Sequence, residues 1–193
     1  MREAKNKYQH NDDGTTFIFI ETKGKYFPGK HTIIISTEDW DKVKVHRWRL
    51  LASPRNTTPY VIASLAKGIN RPKKTHIWLH HLILGKPQKG MVADHINHNG
   101  LDNRKENLRF ATRGQNGANR RAPKNSTSQY LGVYWHKRHK KWSSQVRHNG
   151  KRYHLGMFTC EHQAALAYNK KAIEIHGEFA NLNVINIPED NKK

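Results

Sequence analysis

Cysteine, acidic side chains and long apolar runs are all scarce in this chain of 193 residues. Cys160 is the single cysteine, which excludes an intramolecular disulfide and a zinc site made of four cysteines. No apolar run approaches the roughly 20 residues that a membrane-spanning helix needs, so membrane association is not expected. The N-terminal residues lack the apolar stretch of a secretory signal, which predicts an intracellular protein.

Acidic residues are outnumbered, because 15 Asp and Glu stand against 35 Lys and Arg and give a formal net charge of +20. This charge favours a polyanionic partner, since lysines and arginines that neutralise phosphates release condensed counterions. Hydrophobic residues make up 35% of the chain, which suits one or two small units with modest cores. Nucleic acid is the first candidate for that partner, and nothing in the composition implies a protein partner.

Between Glu106 and Glu161 the chain has no acidic residue but contains 12 Lys and Arg. Aromatic residues such as Trp135 and Trp142 are spread through this region, so it is expected to fold. A polar, proline-containing stretch from Arg120 to Ser128 predicts a tether. The expected divisions are a β-rich N-terminal region (1–75), a central core (76–121), a linker (122–128), a C-terminal domain (129–186) and a tail (187–193).

Short β-branched runs predict strands at residues 32–36, 60–64 and 76–79, and a capped helix from Ser36 towards Trp48. After the linker, strands are expected at 131–136, 142–147 and 152–157. Asn149 and Gly150 join the last two, because both residue types accept the positive φ of a tight hairpin. A helix over 160–176 follows, with Gly177 placed to end it.

Residues 94–109, followed by Asn116, concentrate metal-ligand and proton-transfer groups. A carboxylate beside an imidazole, with amides downstream, supplies the parts for hydrolysing a phosphodiester with a hard cation. Asp94 and His95 are expected to end a strand, and residues 108–111 to pair back as a second strand across an Asn-rich loop. Thr112 and Gln115 form a capping-box pattern that opens a helix carrying Asn116.

These residues resemble the HNH nuclease family over roughly positions 77–121, through Asp-His-Ile, Leu-Asp-Asn-Arg, Glu-Asn-Leu-Arg and Gln-Asn elements in order. The resemblance implies a ββα-metal (His-Me finger) fold. It implies that His95 is the general base, that Asp94 and Asn116 ligate one divalent cation, and that Asn107 holds the loop so that His95 is correctly oriented.

Elementary chemistry agrees with these implied roles. A neutral imidazole, with an ordinary pKa of about 6.5, can take a proton from water near neutral pH. Ligands that are all oxygen atoms point to Mg²⁺ or Mn²⁺ and not to Zn²⁺. His80 and His98 are expected to be solvated or structural, and no catalytic role is assigned to Asn97, Asn99, Asp102 or Asn103. Arg104 and Arg109 could each clamp a phosphate or pair with Glu106.

The C-terminal region resembles the ethylene-response-factor (Apetala-type) DNA-binding domain over about positions 129–184. Gly-Val, Leu-Gly-x-Phe, Ala-Ala-x-Ala-Tyr and a final Leu-Asn occur in the family's order. Family members lay a three-stranded sheet in the DNA major groove. Leu131, Tyr134 and His154 depart from the plant pattern, so the plant target sequence is not transferred.

Residues two apart on a strand share a face, which divides this predicted sheet into an inner and an outer surface. Val133, Val146 and Leu155 are expected to pack on the helix. The outward residues are expected to contact DNA, with Arg and Gln the best suited to reading bases. This set is Tyr134, His136, Gln145, Arg147, Arg152 and His154, with Arg120, Arg121 and Lys124 helping along the DNA backbone; the alternative is a sheet that grips only the backbone.

The whole pattern predicts an α+β protein in which a nuclease unit with a small β-rich N-terminal region is linked to a three-stranded antiparallel sheet packed on one helix. Its expected function is that of a monomeric, metal-dependent DNA endonuclease that nicks at selected sites, as in homing or mobile-element enzymes. The cytoplasm of a prokaryotic or phage-infected cell is the expected location. A DNA-binding transcription regulator with an inactive nuclease unit, and a general RNA or DNA binder, are the alternatives.

Overall fold

The computed structural model describes residues 3–52, 59–65, 76–120, 122 and 125–185. The chain divides into two compact units, Met1–Ala111 and Thr112–Lys193, called here the first and second units. Antiparallel strands and short helices occur in both, which confirms the predicted α+β class. The finer division at residues 75, 121 and 128 stays a prediction.

The first unit begins with an antiparallel sheet of β1 (Tyr8–His10), β2 (Thr15–Thr22) and β3 (Gly29–Ser36). Thr16, Ile18 and Ile20 on β2 are buried and alternate with more exposed residues, which is the period of a half-buried strand. Sequence reasoning predicted only the C-terminal part of β3 and missed β1 and β2.

Next come α1 (Trp40–Val43), the antiparallel strands β4 (Trp48–Leu51), β5 (Tyr60–Ser64) and β6 (His76–Trp78), and α2 (Leu79–Leu84). The expected helix from Ser36 towards Trp48 was wrong in its extent. Trp48 is buried in a strand, where its indole nitrogen donates to the Val43 carbonyl over 2.9 Å and its backbone N–H donates to Asn6 Oδ1 over 2.8 Å. Contacts distant in sequence overrode the local helical signal.

The predicted order of strand, loop, strand and helix is present as β7 (Met91–His95), β8 (Leu108–Thr112) and α3 (Arg113–Ala118). β7 and β8 pair with each other. The capping box is confirmed, because Gln115 N–H donates to Thr112 Oγ1 over 3.2 Å and Thr112 N–H donates to Gln115 Oε1 over 2.8 Å.

One hydrophobic cluster joins elements from the beginning and the end of the first unit. Ile18 and Ile33 from the N-terminal sheet pack in the same core as Leu79 from α2 and Leu108 from β8. The strands before residue 75 therefore bury part of the surface of the elements that follow them.

The second unit contains an antiparallel sheet in the order β11 (Lys151–Phe158), β10 (Lys141–His148), β9 (Val133–His136), with α4 (Glu161–His176) packed on it. Asn149 and Gly150 turn the β10–β11 hairpin with φ of +48° and +75°, as predicted. Val133 and Val146 are buried and Leu155 is half-buried, as the parity argument expected. No helix in the described ranges is both long and apolar enough to cross a membrane.

Candidate active site

Asp94 and His95 end strand β7 side by side, and both are almost completely buried, at 5% and 6% relative exposure. Arg109 on β8 reaches Asp94, with its Nε donating to Asp94 Oδ2 over 3.0 Å. Of the two roles considered for Arg109, a phosphate clamp or a partner of Glu106, neither matches this contact. The arginine instead supplies a charge-assisted hydrogen bond to the carboxylate that precedes the imidazole.

The imidazole of His95 lies between an amide and two other rings. Its Nε2 is 3.3 Å from Oδ1 of Asn103, and its ring centroid is 5.6 Å from that of His80 and 6.1 Å from that of Tyr60. Burial lowers the pKa of His95 below 6.5, although the Asn103 hydrogen bond and the charges of Asp94 and Asp102 oppose the shift. A histidine in this state is neutral near pH 7 and can accept a proton.

Asn107 ties the two ends of the intervening loop together. Its Nδ2 donates to the Asp102 carbonyl over 2.7 Å and to Asn97 Oδ1 over 3.0 Å, while its Oδ1 accepts from the Asn97 backbone N–H over 3.0 Å. The Asn107 backbone carbonyl also accepts from Ile96 N–H over 2.9 Å. These contacts match the loop-holding role that the family resemblance implies for Asn107.

Strand β3 holds the same loop from the other side. Ile34 N–H donates to the Leu101 carbonyl over 2.9 Å, and Asn103 N–H donates to the Ile34 carbonyl over 2.7 Å. Ile34 and Asp102 form an isolated parallel bridge. The N-terminal sheet therefore fixes the backbone of the residue whose side chain contacts His95.

Charged groups close the end of the loop. Arg104 donates to both carboxylate oxygens of Asp102, from Nε over 2.9 Å and from a terminal nitrogen over 2.8 Å, and it also pairs with Glu106. Although burial acts to raise it, the pKa of Asp102 is lowered by these Arg104 contacts. Arg104 is thus a loop partner, and Lys105 adds an ion pair to Glu38 over 2.6 Å.

His80 is buried at 6% relative exposure, so the solvated alternative for this residue was wrong. Its Nδ1 has no hydrogen-bond partner among the described residues. Burial, followed by repulsion from His81 and His95, lowers the pKa of His80 to about 3. The residue is a neutral ring that packs at right angles to His95.

The outward residues of the C-terminal sheet share one face, as the strand register demonstrates. Tyr134 lies opposite Ser143, His136 opposite Lys141, and an irregularity after Ser144 shifts the β11 register. Beyond it, Gln145 lies opposite His154 and Arg147 opposite Arg152. All six residues predicted to contact DNA are thus on the same surface, and Arg147, Arg152 and His154 are exposed.

The remaining predicted contacts surround the linker. Arg120 is exposed, and its backbone carbonyl accepts from Asn181 Nδ2 over 2.7 Å. Arg121 and Lys124 lie outside the described residues, so their predicted contacts with DNA stay predictions.

Comparison with known proteins identifies the family. The HNH endonuclease family model matches residues 73–118. "Uncharacterized HNH endonuclease L560" of Acanthamoeba polyphaga mimivirus is 31% identical over 183 residues, which are 92% of this chain and 90% of that protein. The chain belongs to the HNH endonuclease family. Protein 3.8 of Escherichia phage T7 is also similar to it, at 31% identity over 114 residues, 59% of this chain and 93% of that protein.

The C-terminal third of this HNH endonuclease is similar to a second group of proteins. AP2-like ethylene-responsive transcription factor TOE2 of Arabidopsis thaliana is 38% identical over 66 residues, which are 34% of this chain and 14% of that protein. APETALA2-like protein 2 of Oryza sativa is 41% identical over 64 residues, 33% of this chain and 15% of that protein. The predicted ethylene-response-factor-like domain is confirmed.

Sequence reasoning missed the contact of Asn103 with His95 in the endonuclease. Asn103 was expected only to form the loop, but it is completely buried, with Oδ1 at His95 Nε2 and Nδ2 donating to the Gly100 carbonyl over 3.1 Å. The side chains of Asn97 and Asn99 do serve the loop, since each accepts a hydrogen bond from the backbone N–H two residues further along the chain. Asn97, Asn99, Asp102 and Asn103 look alike in sequence, and the burial of Asp102 and Asn103 against β3 depends on Ile34, which lies far away along the chain.

Oxygen donors of the kind that a hard divalent cation binds occur in this endonuclease. Asp94 offers a buried carboxylate next to the candidate base, and the family motif adds the amide of Asn116, which is exposed on α3 in the second unit. Within the described ranges, no group of three or more His, Cys, Asp or Glu is arranged to hold a metal ion. A single carboxylate with amide and water oxygens is typical of Mg²⁺ coordination.

Proposed function

We propose that this HNH endonuclease is a divalent-metal-dependent DNA endonuclease that nicks one strand and is directed to its site by the C-terminal sheet. The observation that carries the catalytic part is the buried Asp94–His95 pair, with His95 held by Asn103 and Asp94 held by Arg109. Burial next to a fixed partner is how proteins hold an imidazole neutral and correctly oriented.

In this proposal His95 takes a proton from the attacking water. Asn103 Oδ1 can only accept, so it fixes the hydrogen of the neutral ring on Nε2 and makes Nδ1 the basic nitrogen. Asn107 maintains the loop that carries Asn103. The rigid loop thereby keeps the ring in one orientation before substrate binds.

Asp94 and Asn116 would hold the cation, with Mg²⁺ or Mn²⁺ the expected ion. When bound, a cation of this kind neutralises charge on the phosphodiester and on the departing 3′ oxygen. Arg109 orients the Asp94 carboxylate through Oδ2. One such centre serves one phosphodiester, so a monomer is expected to nick and not to cut both strands together.

The sheet supplies the DNA selectivity in this proposal. Tyr134, His136, Gln145, Arg147, Arg152 and His154 present a continuous polar and basic face, and Arg and Gln are suited to guanine and adenine edges in the major groove. The similarity to proteins named as ethylene-responsive transcription factors supports a DNA-binding role for this region. Arg120, Arg121 and Lys124 would contact phosphates.

The test compares His95→Ala with His76→Ala, a histidine that is exposed at the start of β6. Supercoiled plasmid is incubated with each full-length protein in Mg²⁺ or in EDTA, and duplex affinity is measured separately in EDTA. We expect His95→Ala to lower the nicking rate by about 10²-fold or more while affinity stays near wild type, because only the proton acceptor is lost. His76→Ala should nick like wild type. Equal loss of nicking and affinity in His95→Ala would refute the division of labour.

A further inference from the structure

The second unit contains a cleft of about 530 Å³, whose lining includes the predicted DNA contacts Arg120, Gln145 and Arg147 and adds Arg113, which sequence reasoning did not select. One wall is α3 and the residues after it, and the other walls are the C-terminal ends of β10 and α4. The pairing of β9 with β10 ends at the Val133–Ser144 pair, and beyond it Gln145 N–H donates to the Gly132 carbonyl over 2.8 Å. Among the described strands, none pairs with the last residues of β10 on this side, and the cleft lies along that open edge.

The rim of the cleft is strongly basic. Arg113 and Arg120 lie on the α3 side and Arg147 on the β10 side, and all three are exposed. The lining includes no Asp or Glu, and none of the three arginines forms an ion pair with a residue that the structure describes. Three guanidinium groups around an acid-free cleft generate a positive potential without a protein counter-charge.

Polar side chains also line the cleft. The rings of His148 and His176 lie with centroids 5.3 Å apart, and the lining includes the buried Tyr168. Burial, and then repulsion from His148, lowers the pKa of His176. These side chains add hydrogen-bonding capacity to the cleft.

We propose that this cleft binds a phosphate–sugar segment of the DNA substrate, beside the base-reading face of the sheet, with which it shares Gln145 and Arg147. The inference rests on the proposed function, which makes DNA the substrate. Arginine matches phosphate through paired N–H donors, and a cleft with cationic walls and no carboxylate is suited to a backbone that carries one negative charge per nucleotide. α3 also carries the proposed metal ligand Asn116, so the same short helix would supply both a metal ligand and a phosphate contact.

The test uses the double variant Arg113→Gln/Arg120→Gln, because Arg147 also lies on the reading face. Full-length protein is titrated against a labelled random-sequence duplex in EDTA from 50 to 300 mM NaCl, and the slope of log affinity against log salt is measured. Each lost phosphate contact is expected to reduce the slope by about 0.9, so the double variant should lose about 2. Lys170→Gln is the matched control, since Lys170 is exposed on α4 outside the cleft and its loss should leave the slope unchanged.

The charge-retaining variant Arg113→Lys/Arg120→Lys should keep the wild-type slope if phosphate contacts are responsible. Thermal unfolding of every variant checks that the fold is intact. A double Gln variant that folds and binds with the wild-type slope would overturn the cleft proposal. In that case, nicking by the wild-type protein would still support the proposed function. A wild-type protein that neither binds nor nicks DNA would instead overturn the proposed function.

Discussion

The candidate active site of the first unit and the C-terminal sheet of the second unit use polar residues in opposite ways. In the candidate site, Asp94, His95, Asp102, Asn103 and Asn107 are all at or below 6% relative exposure and contact one another or the backbone. On the sheet, Arg147, Arg152 and His154 are exposed. The polar groups of the candidate site form their hydrogen bonds inside the protein. The exposed side chains of the sheet are accessible to a partner.

This difference indicates where each half is fragile. A buried polar group that loses its partner costs about 1–3 kcal/mol, so the loop should be sensitive to changes that remove single hydrogen bonds. Exposed side chains on the sheet should tolerate replacement, and the sheet should fail instead when its packing on α4 is disturbed.

The largest effect on stability is expected at Gly132, which lies just before β9 in the sheet of the second unit. A Cβ at Gly132, whose φ is +77°, would lie 2.2 Å from Tyr168 Cδ2 and 2.5 Å from the Gln145 carbonyl oxygen. Gly132→Ala should therefore destabilise the second unit by about 3–5 kcal/mol, through overpacking added to backbone strain.

Gly150→Ala is the matched control for Gly132→Ala. Gly150 has nearly the same φ, +75°, but a Cβ there would have no atom within 4 Å. It should cost about 1–2 kcal/mol from backbone strain alone. Urea unfolding followed by fluorescence measures both, and equal losses in the two variants would show that the contact with Tyr168 is unimportant.

The second effect concerns the buried hydrogen bond between Asn103 and His95, whose removal is expected to lower the nicking rate. Asn103→Leu removes the acceptor for His95 Nε2–H, so we expect kcat for nicking to fall by about 10- to 100-fold with KM little changed, because the base loses its orientation. Asn103→Asp keeps an acceptor and should recover part of the rate. Asn99→Leu, at an exposed position in the same loop, should nick nearly as wild type. Rates with Asp no better than with Leu would argue for a structural role alone.

The smallest effect is the pH dependence of stability that arises from His80. Its pKa is about 3 in the folded protein, below the ordinary 6.5, so the unfolded chain binds the proton more readily. The stability contributed by the neutral ring is full above pH 6.5 and is lost as the pH falls towards 3. At pH 5 the loss relative to pH 7.5 is expected to be about 2 kcal/mol.

His80→Phe removes this titration while keeping an aromatic ring in the same place. Urea unfolding at pH 7.5 and pH 5 should therefore give a smaller difference for His80→Phe than for the wild type, by about 2 kcal/mol. His76→Ala, at an exposed position, should follow the wild type. An unchanged difference in His80→Phe would mean that other groups account for the pH dependence.

Features set by a few adjacent residues could be predicted from the sequence. The Thr112–Gln115 capping box and the Asn149–Gly150 turn depend on local backbone chemistry, and both are present. The adjacent Asp94 and His95 and the alternation of the C-terminal strands belong to the same class.

Features that depend on distant parts of the chain were not predictable in the same way. Trp48 lies in a strand and not in a helix because its backbone contacts Asn6 and it pairs with β5. Arg109 on β8 contacts Asp94 on the paired strand β7. Asn103 is buried against Ile34, which lies almost 70 positions earlier in the chain, whereas Asn97 and Asn99 are exposed. Single-sequence patterns contain no signal for such partners.

The two backbone hydrogen bonds of Ile34 bear on how this endonuclease can be divided or recombined. A fragment starting near residue 76 would retain every recognisable catalytic motif and still lose the strand on which the loop rests. We therefore expect a graft of this candidate catalytic centre into another protein to be active only when the graft includes the chain from about residue 3 onwards. The smallest transferable nuclease should therefore include the N-terminal sheet as well as the residues of the HNH motif.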